Sequence, residues 1–254
     1  MSERVGNSPG GNGPSRSPRE AVISVIIPCL DEEDAIATVV TAVRAQGVAE
    51  VIVVDGGSGD RTVTRATATG ARVVQESRRG YGRAVQAGIA ALRDDTDIVV
   101  FIDGDGSDRP EFIPDLAAPI VDGRAVFVHG SRIRGEREPG SLSSQQVAAG
   151  HVAGLLLRLI YRVRFTDMSP FRAIRCDVLK RLGMREMTYG WNLEMLMRIA
   201  AAGLPYLEIP VGQRRRIGGV SKVSGNAAAG IKAAWTISAA FVRLALSLRR
   251  EGRA

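Results

Sequence analysis

The chain reads as an α/β protein built on a mostly parallel sheet with helices on both faces, and three observations predict this. The runs Val22–Ile27, Glu50–Val54 and Val99–Ile102 are nearly unbroken β-branched or apolar sequence, the pattern of strands covered on both sides. Between them lie segments with apolar residues at helical spacing, so strand and helix alternate. Each run ends in a loop rich in carboxylates, and an open parallel sheet binds its ligands beyond the carboxyl ends of its strands.

The elements follow in order. Residues 1–20, made of Gly, Ser, Pro and Arg with little that is apolar, read as a disordered tail. The first strand is ended by Pro28. Asp31 reads as the N-cap of the next helix, with Glu32, Glu33 and Asp34 in a first turn favoured by the helix dipole. Ile36, Val39, Val40 and Val43 give that helix its apolar face, and Gly47 stops it. The second strand runs into Asp55–Asp60. A helix over Thr62–Thr69, a short strand at Ala71–Gln75 and a helix over Arg83–Leu92 lead to the third strand and to Asp103–Asp108. Glu111–Val121 reads as a helix and Ala125–Val128 as a strand leading into Gly130-Ser131-Arg132.

Beyond this point the chain turns basic. Gln145–Arg164 is a helix both oily and cationic, and Thr188–Gly203 is a helix carrying Glu194. Leu207–Val211 is a strand, followed by the run Arg214-Arg215-Arg216, a Gly-Gly turn and Ser221-Lys222. The sequence thus expects one domain over 21–225 and a C-terminal amphipathic helix over 226–254. In that helix Ile237, Phe241, Leu244 and Leu248 share one side, and Lys232, Arg243 and Arg250 the other. It reads equally as a helix packed on the domain or as a peripheral contact with anionic lipid.

Composition narrows the function. A chain of 254 residues with 45% hydrophobic and 24% charged content suits a globular domain with a core. The net charge of +7 favours an anionic partner. Aromatics at 5% argue against stacking platforms for single-stranded nucleic acid, so no nucleic-acid partner is expected. Cys29 and Cys176 are too few for a disulfide framework and read as thiols, and His129 and His151 read as structural residues. With no secretory signal and no apolar run long enough to span a bilayer, the expectation is a cytoplasmic protein, peripheral at most on the inner face of the cell membrane.

The chemistry concentrates in Asp103-Gly104-Asp105-Gly106. Two carboxylates one residue apart at a strand's end suit a hard divalent cation, and Mg²⁺ or Mn²⁺ commonly arrives with phosphates that complete its shell. An acidic turn is the alternative on this segment alone. The convergence of three acidic loops on one sheet edge favours the ligand site.

The ordered segments VIIPCLDEE, VVDGGSGDRT, RGYGRAVQAGIAAL, FIDGDGSDRPE, TDMSPFRAIRCDVL and GVSK resemble family 2 glycosyltransferases of the GT-A fold. The nearest branch is similar to the dolichyl- and polyprenyl-phosphate sugar synthases, and the match spans Val22 to Ile231. The resemblance implies an inverting transferase that uses a nucleotide-diphosphate sugar with Mg²⁺ or Mn²⁺. By motif position it implies that Pro28, Leu30, Glu32 and Asp55 contact the nucleotide. Asp103 would face the nucleotide-sugar, and Asp105 would hold the metal with it. Arg132, Arg172, Arg216 and Lys222 would bind the acceptor phosphate and the diphosphate, with Glu194 near the acceptor. The sequence departs from the family pattern at Gly56, Tyr81, Ser107, Ser143–Gln146 and Pro170. A lipid-phosphate acceptor is one reading; a hydroxyl on a lipid, glycan or small molecule, with Glu194 as base, is the other.

Overall fold

The computed structural model describes residues 21–218 and 238–248. The expected tail at 1–20, Lys222, and the parts of the C-terminal helix at 226–237 and 249–254 lie outside the described residues. The seven strands are β1 (Ile23–Cys29), β2 (Glu50–Asp55), β3 (Arg72–Gln75), β4 (Ile98–Phe101), β5 (Phe127–Ser131), β6 (Arg172–Arg175) and β7 (Tyr206–Pro210). They form one sheet in the order β3-β2-β1-β4-β6-β5-β7. The pairs β1–β2, β1–β4, β2–β3 and β5–β7 are parallel, while β6 runs antiparallel to both β4 and β5. The expected mostly parallel α/β sheet is therefore present, with one reversed strand in its interior.

The period of two along the strands explains the layering. Val25 and Ile27 of β1 join Val51, Val53 and Val100 on one face, under α1 (Ile36–Arg44) and α4 (Ile113–Val121). Ile26 joins Ile52, Val54, Val99 and Phe101 on the other face, under α3 (Tyr81–Ala90), α5 (Ser144–Tyr161) and α7 (Trp191–Ala201). Because alternate residues enter alternate cores, the central strands carry no polar face. That is why they read as unbroken apolar runs. The helix at 238–248, here α8, buries Phe241 and Leu244 in this second layer, as its apolar spacing requires. The remaining helices are α2 (Thr62–Ala68) and α6 (Cys176–Arg181). Among the described residues no helix is long and apolar enough to cross a membrane. Both cysteines are buried, with no disulfide between them.

One local expectation is corrected, and two further segments gain definite structure. Asp31 does not cap α1, which begins only at Ile36 after Ala35, with no side-chain cap. The segment Ser143–Gln146 opens α5 with a capping box, in which Ser143 Oγ accepts from the Gln146 N–H and Gln146 Oε1 accepts from the Ser143 N–H. The sequence TDMSPFRAIRCDVL, left without elements above, holds β6 and α6.

Candidate active site

Because β2, β1 and β4 are adjacent and parallel, their three acidic loops leave the sheet on one edge. The first two loops are stitched together by side chains. Asp31 sits at φ 52°, a left-handed conformation that Asp tolerates better than most residues. Its Oδ1 accepts the Gly59 N–H at 2.9 Å, and its own N–H donates to Ser58 Oγ at 2.9 Å. The Glu32 N–H donates to Thr62 Oγ1 at 2.9 Å. Asp55, buried at the end of β2, accepts from the N–H groups of Gly57 and Ser58 and from the Ser58 hydroxyl. Its carboxylate holds the loop's shape. Pro28 is buried within β1 opposite Val54, and Leu30 is half-buried where the strand leaves the sheet.

The loop after β4 folds back on itself. Asp108 Oδ2 accepts the Asp103 N–H at 3.1 Å, and Asp105 Oδ1 accepts the Ser107 N–H at 2.9 Å. Oδ1 of Asp103 and Oδ1 of Asp108 are buried and accept no hydrogen bond from the described residues. Burial first, then the facing Asp108 and Asp105 carboxylates, push Asp103 well above the ordinary carboxylate range. Burial pushes Asp108 up to about 6, against the pull of Arg132. The Tyr81 hydroxyl, at the start of α3, is buried as well, and burial and then Asp103 raise it far above a free phenol. Such a nest of under-satisfied oxygen atoms is costly unless something positive meets it.

The segment after β7 supplies part of that charge by lying across the same edge. The Arg214 N–H donates to Ser107 O at 2.8 Å, and the Ile217 N–H donates to Asp105 O at 3.0 Å. Gly106, at φ 78°, lets Ile217 pack close, since a Cβ there would fall 2.5 Å from Ile217 Cδ1. Arg216 is thereby aimed inward. Its guanidinium donates to Glu32 Oε1 and Oε2 at 2.8 and 3.1 Å and lies 3.9 Å from Asp105 Oδ2. Residues separated by almost the whole domain (Glu32, Asp105 and Arg216) thus meet at one point.

On the other side of β4, Arg132 and Asp167 form a buried fork-to-fork pair at 2.8 and 2.9 Å, and Asp167 also accepts the Arg132 N–H at 3.0 Å. Burial alone would raise Asp167, but Arg132 outweighs it and holds the carboxyl down at about 2. Burial likewise opposes the charge on Arg132, and Asp167, followed by Asp108 and Asp103, holds the guanidinium firmly protonated. Asp167 escaped the sequence reading, although it stands in the quoted TDMSPFR segment; a buried arginine's need for a carboxylate was the available signal.

Two residues expected to serve the ligand are instead engaged by the interior, although Arg172 lies close beneath Asp103 and Tyr81. Arg172 is fully buried, and its guanidinium donates to the carbonyls of Pro170, Asn192 and Ser169. Burial lowers it to about 10. It braces the turn before β6 and offers no free fork to a phosphate. Glu194 is buried in α7, where its oxygens accept from the N–H groups of Arg185 and Glu186 and from Arg198 Nε at 2.8 Å. It anchors the preceding loop and is not positioned as a base. Arg78, next to the departure at Tyr81, is paired with Glu76 at 2.9 Å.

The carboxylates of Asp103, Asp105 and Asp108 are hard oxygen donors, and the two buried unpartnered oxygens fit a divalent cation. Among the described residues no three acidic, His or Cys side chains are grouped so as to hold a metal ion together. A cation at this edge would therefore take the rest of its shell from a ligand.

Residues 24–183 match the family model described as glycosyl transferase family 2. A curated relative from Mycobacterium tuberculosis (strain ATCC 25618 / H37Rv), an uncharacterised glycosyltransferase, is 38% identical over 210 residues, covering 80% of this chain and 90% of its own. A dolichyl-phosphate hexose transferase from Haloferax volcanii is 34% identical over 200 residues, covering 77% of this chain and 84% of its own. Among solved structures, glucosyl-3-phosphoglycerate synthase from Mycobacterium tuberculosis, in complex with Mn²⁺, UDP-glucose and phosphoglyceric acid, superposes with a TM-score of 0.69 at 26% identity. That superposition covers 89% of this chain and 80% of that one.

Proposed function

The chain belongs to glycosyl transferase family 2, and we propose that it transfers a hexose, with inversion, from a nucleotide-diphosphate sugar to a polyprenyl (dolichyl-type) phosphate. It would work as a peripheral protein on the inner face of the cell membrane, where such an acceptor is carried.

The donor half rests on the sheet edge. Asp103 and Asp105 would hold Mg²⁺ or Mn²⁺, which supplies Lewis-acid neutralisation of the leaving diphosphate when bound. Glu32, with Pro28, Leu30 and Asp55, would form the nucleotide side of the cleft, Asp55 by fixing the loop. Arg216, and Lys222 beyond it, would meet the diphosphate as cations. In the transfer, an acceptor oxygen forms the new bond to the sugar's anomeric carbon from the face opposite the diphosphate. The bond to the diphosphate breaks, and its electron pair leaves with the nucleotide.

One observation carries the choice of acceptor. A hydroxyl must give up a proton as it attacks, and Glu194, the carboxylate expected to take it, has its oxygens committed to Arg185, Glu186 and Arg198. A phosphate is already ionised near neutral pH and needs only orientation, which arginine forks provide. Arg132, its Nε and Nη2 already held by Asp167, would serve there as a fixed positive charge rather than as a free fork. The likeness to a structure holding phosphoglyceric acid supports a second reading, a small phosphorylated acceptor whose hydroxyl attacks the sugar.

The test is direct. Purified protein is incubated with radiolabelled nucleotide-sugars, Mn²⁺ and either polyprenyl phosphate or phosphoglycerate. Label in an acid-labile, alkali-stable lipid is expected; label confined to water-soluble product would overturn the lipid acceptor in favour of the second reading.

A further inference from the structure

The large apolar side chains left exposed among the described residues concentrate on two helices. Leu155, Leu159 and Ile160 on α5, and Val242 and Leu246 on α8, are between 48% and 69% exposed. The helices adjoin, since Tyr161 at the end of α5 meets Phe241 of α8 with ring centroids 6.4 Å apart. The inner faces of both are fully used: Ala153, Leu157, Phe241 and Leu244 are buried in one core. The outward residues are therefore surplus to folding, and leaving them in water gains the fold nothing.

Along the two segments themselves the charge has one sign, and the carboxylate of Glu186 that reaches α8 is paired with Arg243. From Pro139 to Thr166 the sequence contains no carboxylate, and it carries Arg158, Arg162 and Arg164; residues 238–248 also contain none. Arg158 and Arg162 are exposed and lie among the leucines at helical spacing. We propose that this face of α5 and α8 docks on an anionic lipid bilayer. The apolar side chains would enter the boundary between headgroups and acyl chains, and the arginines would stay at the lipid phosphates. A second copy is the poorer occupant, because a two-fold contact would set Arg158 and Arg162 against the same arginines.

The docking face is joined to the acceptor side of the site. Gly150 and Gly154 seat α5 directly on the segment 165–167; a Cβ at Gly154 would fall 2.2 Å from Phe165 O, and one at Gly150 would fall 3.2 Å from Thr166 O. Asp167, which holds Arg132, is the next residue. A bilayer under α5 would thus lie beside the residues that meet an acceptor phosphate. In that respect the inference rests on the reading of a membrane-borne acceptor, while the surface itself is argued from exposure and charge.

The experiment is flotation of the full chain with vesicles of phosphatidylcholine alone and with one-quarter phosphatidylglycerol. Binding to the anionic vesicles is expected, weakened by raised salt. The double variant Leu155→Ser/Leu159→Ser and the charge variant Arg158→Glu/Arg162→Glu should each cut binding roughly tenfold or more. Thermal stabilisation by donor nucleotide should be unchanged in both, which keeps misfolding apart from lost docking. Equal flotation of wild type and both variants would overturn the proposal. So would a dimer in sedimentation that the same substitutions dissolve, with no vesicle binding. Transfer to a detergent-dispersed acceptor tests the other reading separately: if it proceeds while wild type ignores vesicles, the docking face fails and the acceptor stands.

Discussion

At the scale of single residues, burial decides which charges are available for chemistry and which hold the fold. Glu194 and Asp105 are both carboxylates, but Glu194 is saturated by three donors inside α7's packing, whereas Asp105 sits on a loop and faces Arg216. Glu194→Gln is therefore expected to weaken the Arg198 pair and lower stability by about 2 kcal/mol while the folded fraction keeps its turnover. Urea unfolding paired with activity per folded molecule checks this, and a large loss of turnover at full stability would restore Glu194 as a base. Asp105→Ala should do the reverse, abolishing metal-dependent donor turnover with an unchanged unfolding midpoint. His129 gives a pH signature. Burial, aided by Arg172, holds it down at about 3, below the ~6.5 of an unfolded histidine. Between those values the unfolded chain takes up a proton that the native one refuses, so this residue costs stability as pH falls, by about 1.4 kcal/mol per pH unit. The stability of wild type relative to His129→Gln should therefore decline from pH 7.5 to pH 5; parallel curves would contradict the assignment.

At the scale of elements, what could be read from the sequence was whatever had a period. The strands β1, β2 and β4 and the faces of α1 and α7 follow from apolar spacing alone, because each faces a core that accepts little else. The beginning of α1 did not, because Asp31 serves Gly59 and Ser58 on a neighbouring loop rather than its own helix. The short pair β6 and α6 has no period to read: four residues with arginine at each end are a strand only because β4 and β5 leave a slot for one. The segment Ser143–Gln146 departs from the family pattern. It starts the helix expected from Gln145, with both partners of a capping box present. Ser143→Ala should cost about 1 kcal/mol of stability, measurable by denaturant titration, and should leave donor affinity untouched.

At the scale of the whole molecule, the site is a meeting of distant segments at one end of the sheet. Loops after β1, β2 and β4 and the strap after β7 share hydrogen bonds there, and Arg216 ties Glu32 to Asp105. A ligand bound at that junction holds the first strand, the central strand and the strap together, so it stabilises the fold globally. Nucleoside diphosphate with Mn²⁺ at a hundred times its dissociation constant should add about 2.7 kcal/mol, read as a rise in the thermal midpoint. Arg216→Ala should shrink that rise and raise the apparent Michaelis constant for the donor. An undiminished shift would reduce the strap to a surface feature.

The sequence by itself determined the sheet class, the family and the acidic edge, because all three are local: strand runs, ordered motifs and carboxylates next to glycines are written in neighbouring residues. Only the tertiary structure decided which charges reach that edge. Arg132 needed Asp167, 35 positions away, to be buried at all, and Arg216 needed Glu32, 184 positions away, to be aimed. Arg172 and Glu194 carry the right charges in the right motifs yet spend them on carbonyls and N–H groups of the interior. Burial and partnership are properties of three-dimensional packing, and no spacing along the chain encodes them.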